Sequence, residues 1–131
     1  MLFIYLKPIN FFMRSVLKPF KRLIPAKYQI PVNGVFSLGI GIDNYIFLHS
    51  NPTSHITKVL YWNGIKGYEF PTVKIFMKLV KKSSRFYDIG AHFGYYSMLA
   101  NAINDKISIV AFEPMPDAFH YLKKNCSLNK H

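Results

Sequence analysis

The sequence predicts an α/β fold in which residues 84–131 form the first, βαβα half of a parallel sheet. Two apolar runs of strand length, Phe86–Ile89 and Ile107–Phe112, are each followed by a helical pattern, Tyr95–Ile103 and Pro116 to about Asn125. Strand, helix, strand and helix at this spacing are typical of a right-handed parallel βαβ unit that begins a doubly wound sheet. The second run carries no charge, so we expect a fully buried strand.

Residues 31–83 are predicted to form a β-hairpin and two helices that precede the sheet. Val35–Ile42 and Tyr45–His49 are rich in strand formers and are joined by an Asp-Asn turn. Ser54 is placed to cap one helix, and Pro71 suits the first turn of another. His49 and His55 have no metal-ligand pattern around them, so we interpret both as loop histidines and predict no metal site.

Residues 1–30 form a basic, amphipathic segment with a predicted helix over residues 9–24, which Pro19 should kink or split. Two interpretations remain open: an interfacial helix on anionic lipid, or a helix that covers the domain core with its basic face in water. No window is long enough to span a membrane, and the start lacks the features of a signal peptide. The apolar stripe comprises Ile9, Phe12, Met13, Val16, Phe20, Leu23 and Ile24, and Arg14, Lys18, Lys21 and Arg22 lie opposite.

The composition excludes a disordered chain and favours an anionic partner. Half of the 131 residues are apolar, and 17 Lys and Arg against 6 Asp and Glu give a net charge of +11, with no acid before Asp43. A membrane surface, a nucleic acid or an acidic substrate would fit this charge. The single cysteine, Cys126, is interpreted as a small buried helix residue and fits a reducing compartment, so we expect a cytoplasmic protein with possible peripheral membrane contact.

An acidic residue follows each predicted sheet strand. Asp88 ends the first strand and Glu113 follows the second, 113 − 88 = 25 residues later, which is about one strand-helix-strand unit. Neighbouring parallel strands would place both acids at the sheet edge where ligands bind in open α/β sheets. Between them, Gly90 and Gly94 leave backbone free to approach a ligand.

These features favour S-adenosylmethionine over a dinucleotide. A dinucleotide fingerprint needs glycines where this chain has Asp88 and Phe93, and a carboxylate would repel a pyrophosphate. S-adenosylmethionine has an ammonium, a sulfonium and a ribose diol but no phosphate. Asp88 could hold its amino-acid end, the Gly90–Gly94 loop could lie along its chain, and Glu113 could accept both ribose hydroxyls. The plainer alternative is that both acids are turn or helix-start residues.

Three stretches of the chain resemble the FkbM family of S-adenosylmethionine-dependent methyltransferases. They are "YDIGAHFGYYS", "AFEPMPDAFHYLKKNCSLN" and, upstream, "GIKGYEF", and the resemblance covers roughly residues 54–131. It implies a Rossmann-like class I methyltransferase fold and methyl transfer, typically to a hydroxyl oxygen of a sugar or small natural product.

The resemblance also implies the cofactor-binding residues. The Tyr68-Glu69 pair would close over the cofactor, although Glu69 could equally be a surface residue near a helix start. His92 stands where the family often has asparagine. The full implied set is Asp88, Gly90, Ala91, His92 and Gly94 in the loop, Glu113 at the ribose, and Tyr68 and Glu69 upstream.

Members of this family continue well beyond the point that corresponds to His131. We therefore expect this chain to be the N-terminal, cofactor-binding half of a methyltransferase: a truncated reading frame, a gene fragment or one part of a split enzyme. It would be inactive alone, would need the missing C-terminal half and an acceptor, and contains no nameable catalytic base. The alternative function is a non-enzymatic basic module at a membrane or nucleic acid; nucleic acid is disfavoured because most aromatic residues have core spacing. A nucleotide-dependent oxidoreductase is disfavoured by Asp88.

Overall fold

The computed structural model describes residues 2–21 and 23–129, which form a mixed α/β arrangement with two two-stranded sheets. Short 3-10 turns precede and follow the first helix, at Leu2–Tyr5 and Lys18–Phe20. The main elements in chain order are α1 (Lys7–Leu17), β1 (Gly34–Gly39), β2 (Tyr45–Ser50), α2 (His55–Asn63), α3 (Phe70–Val80), β3 (Arg85–Ile89), α4 (Tyr95–Ile103), β4 (Ser108–Phe112) and α5 (Pro116–Leu128).

The hairpin forms as predicted, with a shorter first strand. β1 and β2 pair antiparallel from Gly34 opposite Ser50 to Gly39 opposite Tyr45. The predicted strand to Ile42 stops at Gly39 because the chain turns over residues 40–44, where Asp43 has a φ of 59°. Side chains alternate, and the inward positions are Phe36, Leu38, Ile46 and Leu48.

Both helix starts predicted between the sheets are present. The Ser54 hydroxyl accepts a hydrogen bond from the Thr57 N–H at 3.4 Å and caps α2. α3 begins at Phe70 with Pro71 in its first turn. On α2 the single tryptophan, Trp62, is buried, and its indole N–H donates to the Ile30 carbonyl at 3.0 Å.

The β3–α4–β4 segment contains the predicted parallel pair, but β4 is not fully buried. Asp88 lies opposite Ala111 in the register, and α4 has the predicted bounds. α4 packs against one face of the pair. On the opposite face the outward side chains are exposed, Ile89 by 82%, because no described element covers them. These residues are Tyr87, Ile89, Val110 and Phe112.

The interpretation of α1 as a cover for the core is wrong. Its buried residues are Asn10, 0% exposed, and Arg14, 4% exposed, whereas Ile9, Phe12 and Val16 of the apolar stripe are exposed. The Asn10 amide donates to the Ile4 and Pro31 carbonyls, both at 2.8 Å, and accepts from the Asn33 N–H at 3.0 Å. Polar side chains face inward because they satisfy the backbone that leads into β1. Arg22, which was predicted to lie opposite the apolar stripe, is outside the described residues.

The hairpin and the βαβ segment share one hydrophobic core. The main core cluster comprises Val32, Phe36, Leu38, Ile40, Ile46, Leu48, Leu60, Val73, Phe93, Tyr95, Met98 and Leu99.

Within the described part of the chain, no helix has both the length and the apolar character needed to cross a bilayer.

Candidate functional site

The loop between β3 and α4 has an unusual backbone at the predicted glycines. Gly90, His92 and Gly94 have φ values of 80°, 51° and 84°. Left-handed φ is ordinary for glycine and is tolerated by histidine and asparagine better than by most residues. The Gly90 and Ala91 N–H groups both donate to the Phe112 carbonyl at 2.9 Å, so the loop is fixed to the end of β4.

The two glycines face different surroundings. A Cβ atom built on Gly90 would have no heavy atom within 4 Å, so this side of the loop is open to a ligand. A Cβ atom on Gly94 would come within 2.5 Å of the Leu122 Cδ1 on α5. Gly90 therefore leaves open space, whereas Gly94 allows α5 to pack closely against the start of α4.

Asp88 is buried at the end of β3 and holds the first turn of α4. Its Oδ2 accepts a hydrogen bond from the Ser97 hydroxyl at 2.5 Å. Burial raises the pKa of the Asp88 carboxyl, hydrogen bonds from Ser97 oppose that rise, and nearby Glu113 adds to it. No cation among the described residues is identified as a neighbour that lowers this pKa, so the buried carboxylate favours either a proton or an incoming cation.

Glu113 joins the two loops at this edge of the sheet. One carboxylate oxygen accepts the His92 N–H at 2.7 Å, and the other accepts the Met115 N–H at 2.8 Å. An ionised carboxylate offers about four acceptor positions, so each oxygen keeps capacity for a further donor such as a hydroxyl. Glu113 is thus both a loop anchor and an available acceptor.

The Tyr68-Glu69 pair lies beside the first turn of α4. Glu69 has a φ of 46° and its Oε2 accepts the Tyr96 hydroxyl at 2.8 Å. The Tyr68 and Tyr95 rings meet edge to face with centroids 6.2 Å apart. The Tyr95 hydroxyl is buried and has no hydrogen-bond partner within the described residues. Burial, with a contribution from Glu69, raises the pKa of Tyr95, which stays neutral.

A neighbouring cleft of about 440 Å³ brings together three histidines that are distant in sequence. His49, His55 and His92 line it together with Phe93 and Tyr121. The interpretation of His49 and His55 as loop residues is wrong, because His49 lies in β2 and His55 begins α2. The His49 ring packs against Tyr121 with centroids 5.5 Å apart. Burial, assisted by Lys124, Lys7 and His120, lowers the pKa of His49.

Sequence reasoning missed the structural role of two asparagines, one on α5 and one at its C-terminal cap. The Asn125 side chain is fully buried; it accepts the His49 N–H at 2.6 Å and donates to the Phe93 carbonyl at 2.7 Å. The Asn129 amide accepts from the Phe47 N–H and donates to the Phe47 carbonyl, both at 2.8 Å. Together they satisfy one edge of β2 and hold the candidate loop against the hairpin. Their i, i+4 spacing was the available signal.

The geometry therefore places an open glycine, two acids and the Tyr-Glu pair around the β3–α4 loop. Among residues 2–21 and 23–129, no group of three or more His, Cys, Asp or Glu side chains is arranged to hold a metal ion.

A scan of family models gives no match to this chain, and searches of curated proteins and of solved structures give none either.

Proposed function

We propose that the chain binds S-adenosylmethionine at the β3–α4 loop, as the cofactor-binding part of a Rossmann-like, FkbM-type methyltransferase. The observation that carries the proposal is the position of Glu113. It is fixed at the end of β4, beside a loop that has left-handed backbone and an open side at Gly90. A carboxylate that can accept hydrogen bonds from a ribose diol, beside a loop with no side chain at Gly90, suits the adenosyl ligand.

The acids in the loop fit this ligand better than a pyrophosphate. Asp88 has a raised pKa, so a ligand ammonium nearby, directly or through water, would favour its ionised form. Glu113 would accept hydrogen bonds from the ribose hydroxyls, and the backbone of Gly90 and Ala91 would lie against the ligand. S-adenosylmethionine supplies an activated methyl group for transfer to the acceptor, a hydroxyl of a sugar or small natural product.

The residues of this chain would bind and orient the cofactor. Tyr68 and Glu69, next to the start of α4, would cover one side of it. The exposed apolar face of the β3–β4 pair supports the expectation that further parts of such a domain pack there.

The direct test compares the binding of S-adenosylhomocysteine with that of NAD. Calorimetry measures the affinity, and amide chemical shifts show which residues the ligand contacts. We expect S-adenosylhomocysteine, not NAD, to shift the amide signals of the Gly90–Gly94 loop. Glu113→Ala should lose ~2–4 kcal/mol of binding free energy, about 30- to 1000-fold in Kd. His92→Asn should bind nearly as the parent, because asparagine tolerates the same backbone.

Glu113 also anchors two loops, so the variant needs a folding control. Asp105→Ala removes the same charge from an exposed turn before β4, and Trp62 fluorescence reports whether the core is intact. No shift in the loop with S-adenosylhomocysteine, or equal binding of folded Glu113→Ala and parent, would refute the proposal.

A further inference from the structure

The outer surface of the N-terminal segment is apolar and uncovered. Six side chains between residues 9 and 23 are exposed by 37% to 79%. Burying such side chains against water-excluding material is favourable, so a contiguous set of them on one segment marks an interaction surface. We call this set the apolar face; it comprises Ile9, Phe11, Phe12, Val16, Phe20 and Leu23.

A basic cleft of about 290 Å³ opens beside the apolar face, between α1 and the hairpin. Three cationic side chains line it, and Phe11 belongs both to its wall and to the apolar face. Hydroxyl groups and two apolar hairpin residues, Val35 and Phe36, complete the lining. The cations are Arg14, Lys18 and Lys21, and the hydroxyls come from Ser15, Ser37 and Tyr61.

Arg14 is a buried cation with an unused donor. It is 4% exposed, its Nη2 donates to the Asn33 carbonyl at 3.0 Å, and its guanidinium lies 5.1 Å from the centre of the Tyr61 ring. Its Nε has no hydrogen-bond partner within the described residues. The guanidinium stays protonated at neutral pH even though burial lowers its pKa.

Among the described residues that line the cleft, none is acidic. The first acidic residue in the sequence is Asp43, so this N-terminal segment carries no carboxylate of its own. A buried N–H without a partner is unfavourable, and guanidinium groups pair well with phosphate oxygens. Lys18 and Lys21 add charge at the mouth of the cleft.

We propose that the basic cleft binds the phosphate of an anionic phospholipid headgroup while the apolar face lies in the interfacial layer of the same membrane. A lipid supplies both the anion and the apolar contact, at adjacent positions, whereas free phosphate or nucleic acid supplies only the anion. The helix would lie in the plane of the membrane surface. This surface is separate from the cofactor loop and does not depend on the proposed methyl transfer.

The test is co-sedimentation of the full chain with vesicles of phosphatidylcholine alone or with roughly one-third phosphatidylserine. We expect binding to the acidic vesicles only, and release as salt rises above about 0.1 M. Lys18→Glu with Lys21→Glu should lower the partition coefficient at least about 25-fold, at roughly fivefold for each lysine. Phe12→Ser with Val16→Ser should lower it at least about tenfold.

Matched controls are available on α3 and its C-terminal cap. Lys78→Glu with Lys81→Glu makes the same change of charge at the same spacing on exposed residues, and Ile75→Ser with Leu79→Ser removes apolar side chains that are each 62% exposed. Both control pairs should bind acidic vesicles within about threefold of the parent. Trp62 fluorescence confirms that each variant is folded.

Three outcomes would overturn the proposal. An equal decrease in vesicle binding for the Lys18/Lys21 and Lys78/Lys81 variants would show that net charge alone attracts the protein to the membrane. Unchanged binding of the folded Phe12/Val16 pair would show that the apolar face does not enter the membrane. Binding of single-stranded RNA that needs Lys18 and Lys21, without binding to vesicles, would assign the cleft to nucleic acid.

Discussion

Replacing each loop glycine by alanine separates a ligand-facing position from a packing position. Both residues have left-handed φ, so each substitution loses about 1–2 kcal/mol from the backbone alone. At Gly90 the new methyl group contacts no neighbouring atom, so the backbone cost is the whole expected decrease in the free energy of unfolding. At Gly94 it would lie 2.5 Å from the buried Leu122 side chain, and overpacking adds about 1–3 kcal/mol.

The measurements are urea unfolding followed by Trp62 fluorescence and binding of S-adenosylhomocysteine by calorimetry. We expect Gly94→Ala to be destabilised by about 2–5 kcal/mol in total, but to bind within about threefold of the parent at temperatures where it is folded. Gly90→Ala should stay more stable and yet bind at least about tenfold more weakly, because its methyl group occupies the open side of the loop. The reasoning is refuted if Gly90→Ala binds like the parent, or if Gly94→Ala is no less stable than Gly90→Ala.

Three further predictions concern the groups around the loop. The pKa of Asp88 is raised above the unfolded value of about 3.9, so its contribution to stability should be fully present below the unfolded value and should be lost as pH rises through the raised pKa. Asp88→Asn, which still accepts from Ser97, should remove this loss and raise the thermal midpoint at neutral pH. The pKa of His49 is lowered, so stability should fall as pH drops below about 6.5; His49→Gln should reduce this loss in pH-dependent unfolding, whereas the exposed His55→Gln should not. Asn125→Ala should lose about 2–5 kcal/mol in urea unfolding, because a buried N–H and a buried carbonyl lose their partner; a loss below about 0.5 kcal/mol would contradict this.

Sequence patterns predicted the elements whose signals are local. The bounds of α4 follow from its apolar spacing, the start of α2 from Ser54, and the start of α3 from Pro71. Parallel pairing of β3 with β4 followed from the strand-helix-strand order, and it brings Glu113 near enough to influence the pKa of Asp88. The exposed face of β4 could not be predicted, because an apolar run does not specify how many of its faces are covered.

The orientation of α1 was beyond sequence reasoning for a different physical reason. Amphipathicity identifies two faces of a helix but assigns the apolar one to the core only when no stronger demand exists. Here the Pro31–Asn33 backbone needs hydrogen-bond partners, and Asn10 and Arg14 provide them. An inward asparagine that forms three hydrogen bonds is stable where an inward phenylalanine would leave backbone groups unsatisfied.

The same physical demand connects the candidate loop to the rest of the molecule. The pairing between β1 and β2 leaves one edge of β2 open, and asparagine side chains from α5 and its C-terminal cap satisfy its His49 and Phe47 backbone groups. Asn125 uses its remaining donor on the Phe93 carbonyl, which lies within the Gly90–Gly94 loop. The shape of the loop therefore depends on a side chain that comes more than thirty residues later and touches the hairpin at the same time. Motifs locate the acids and glycines, but the conformation that makes them a site is set by these long-range polar contacts.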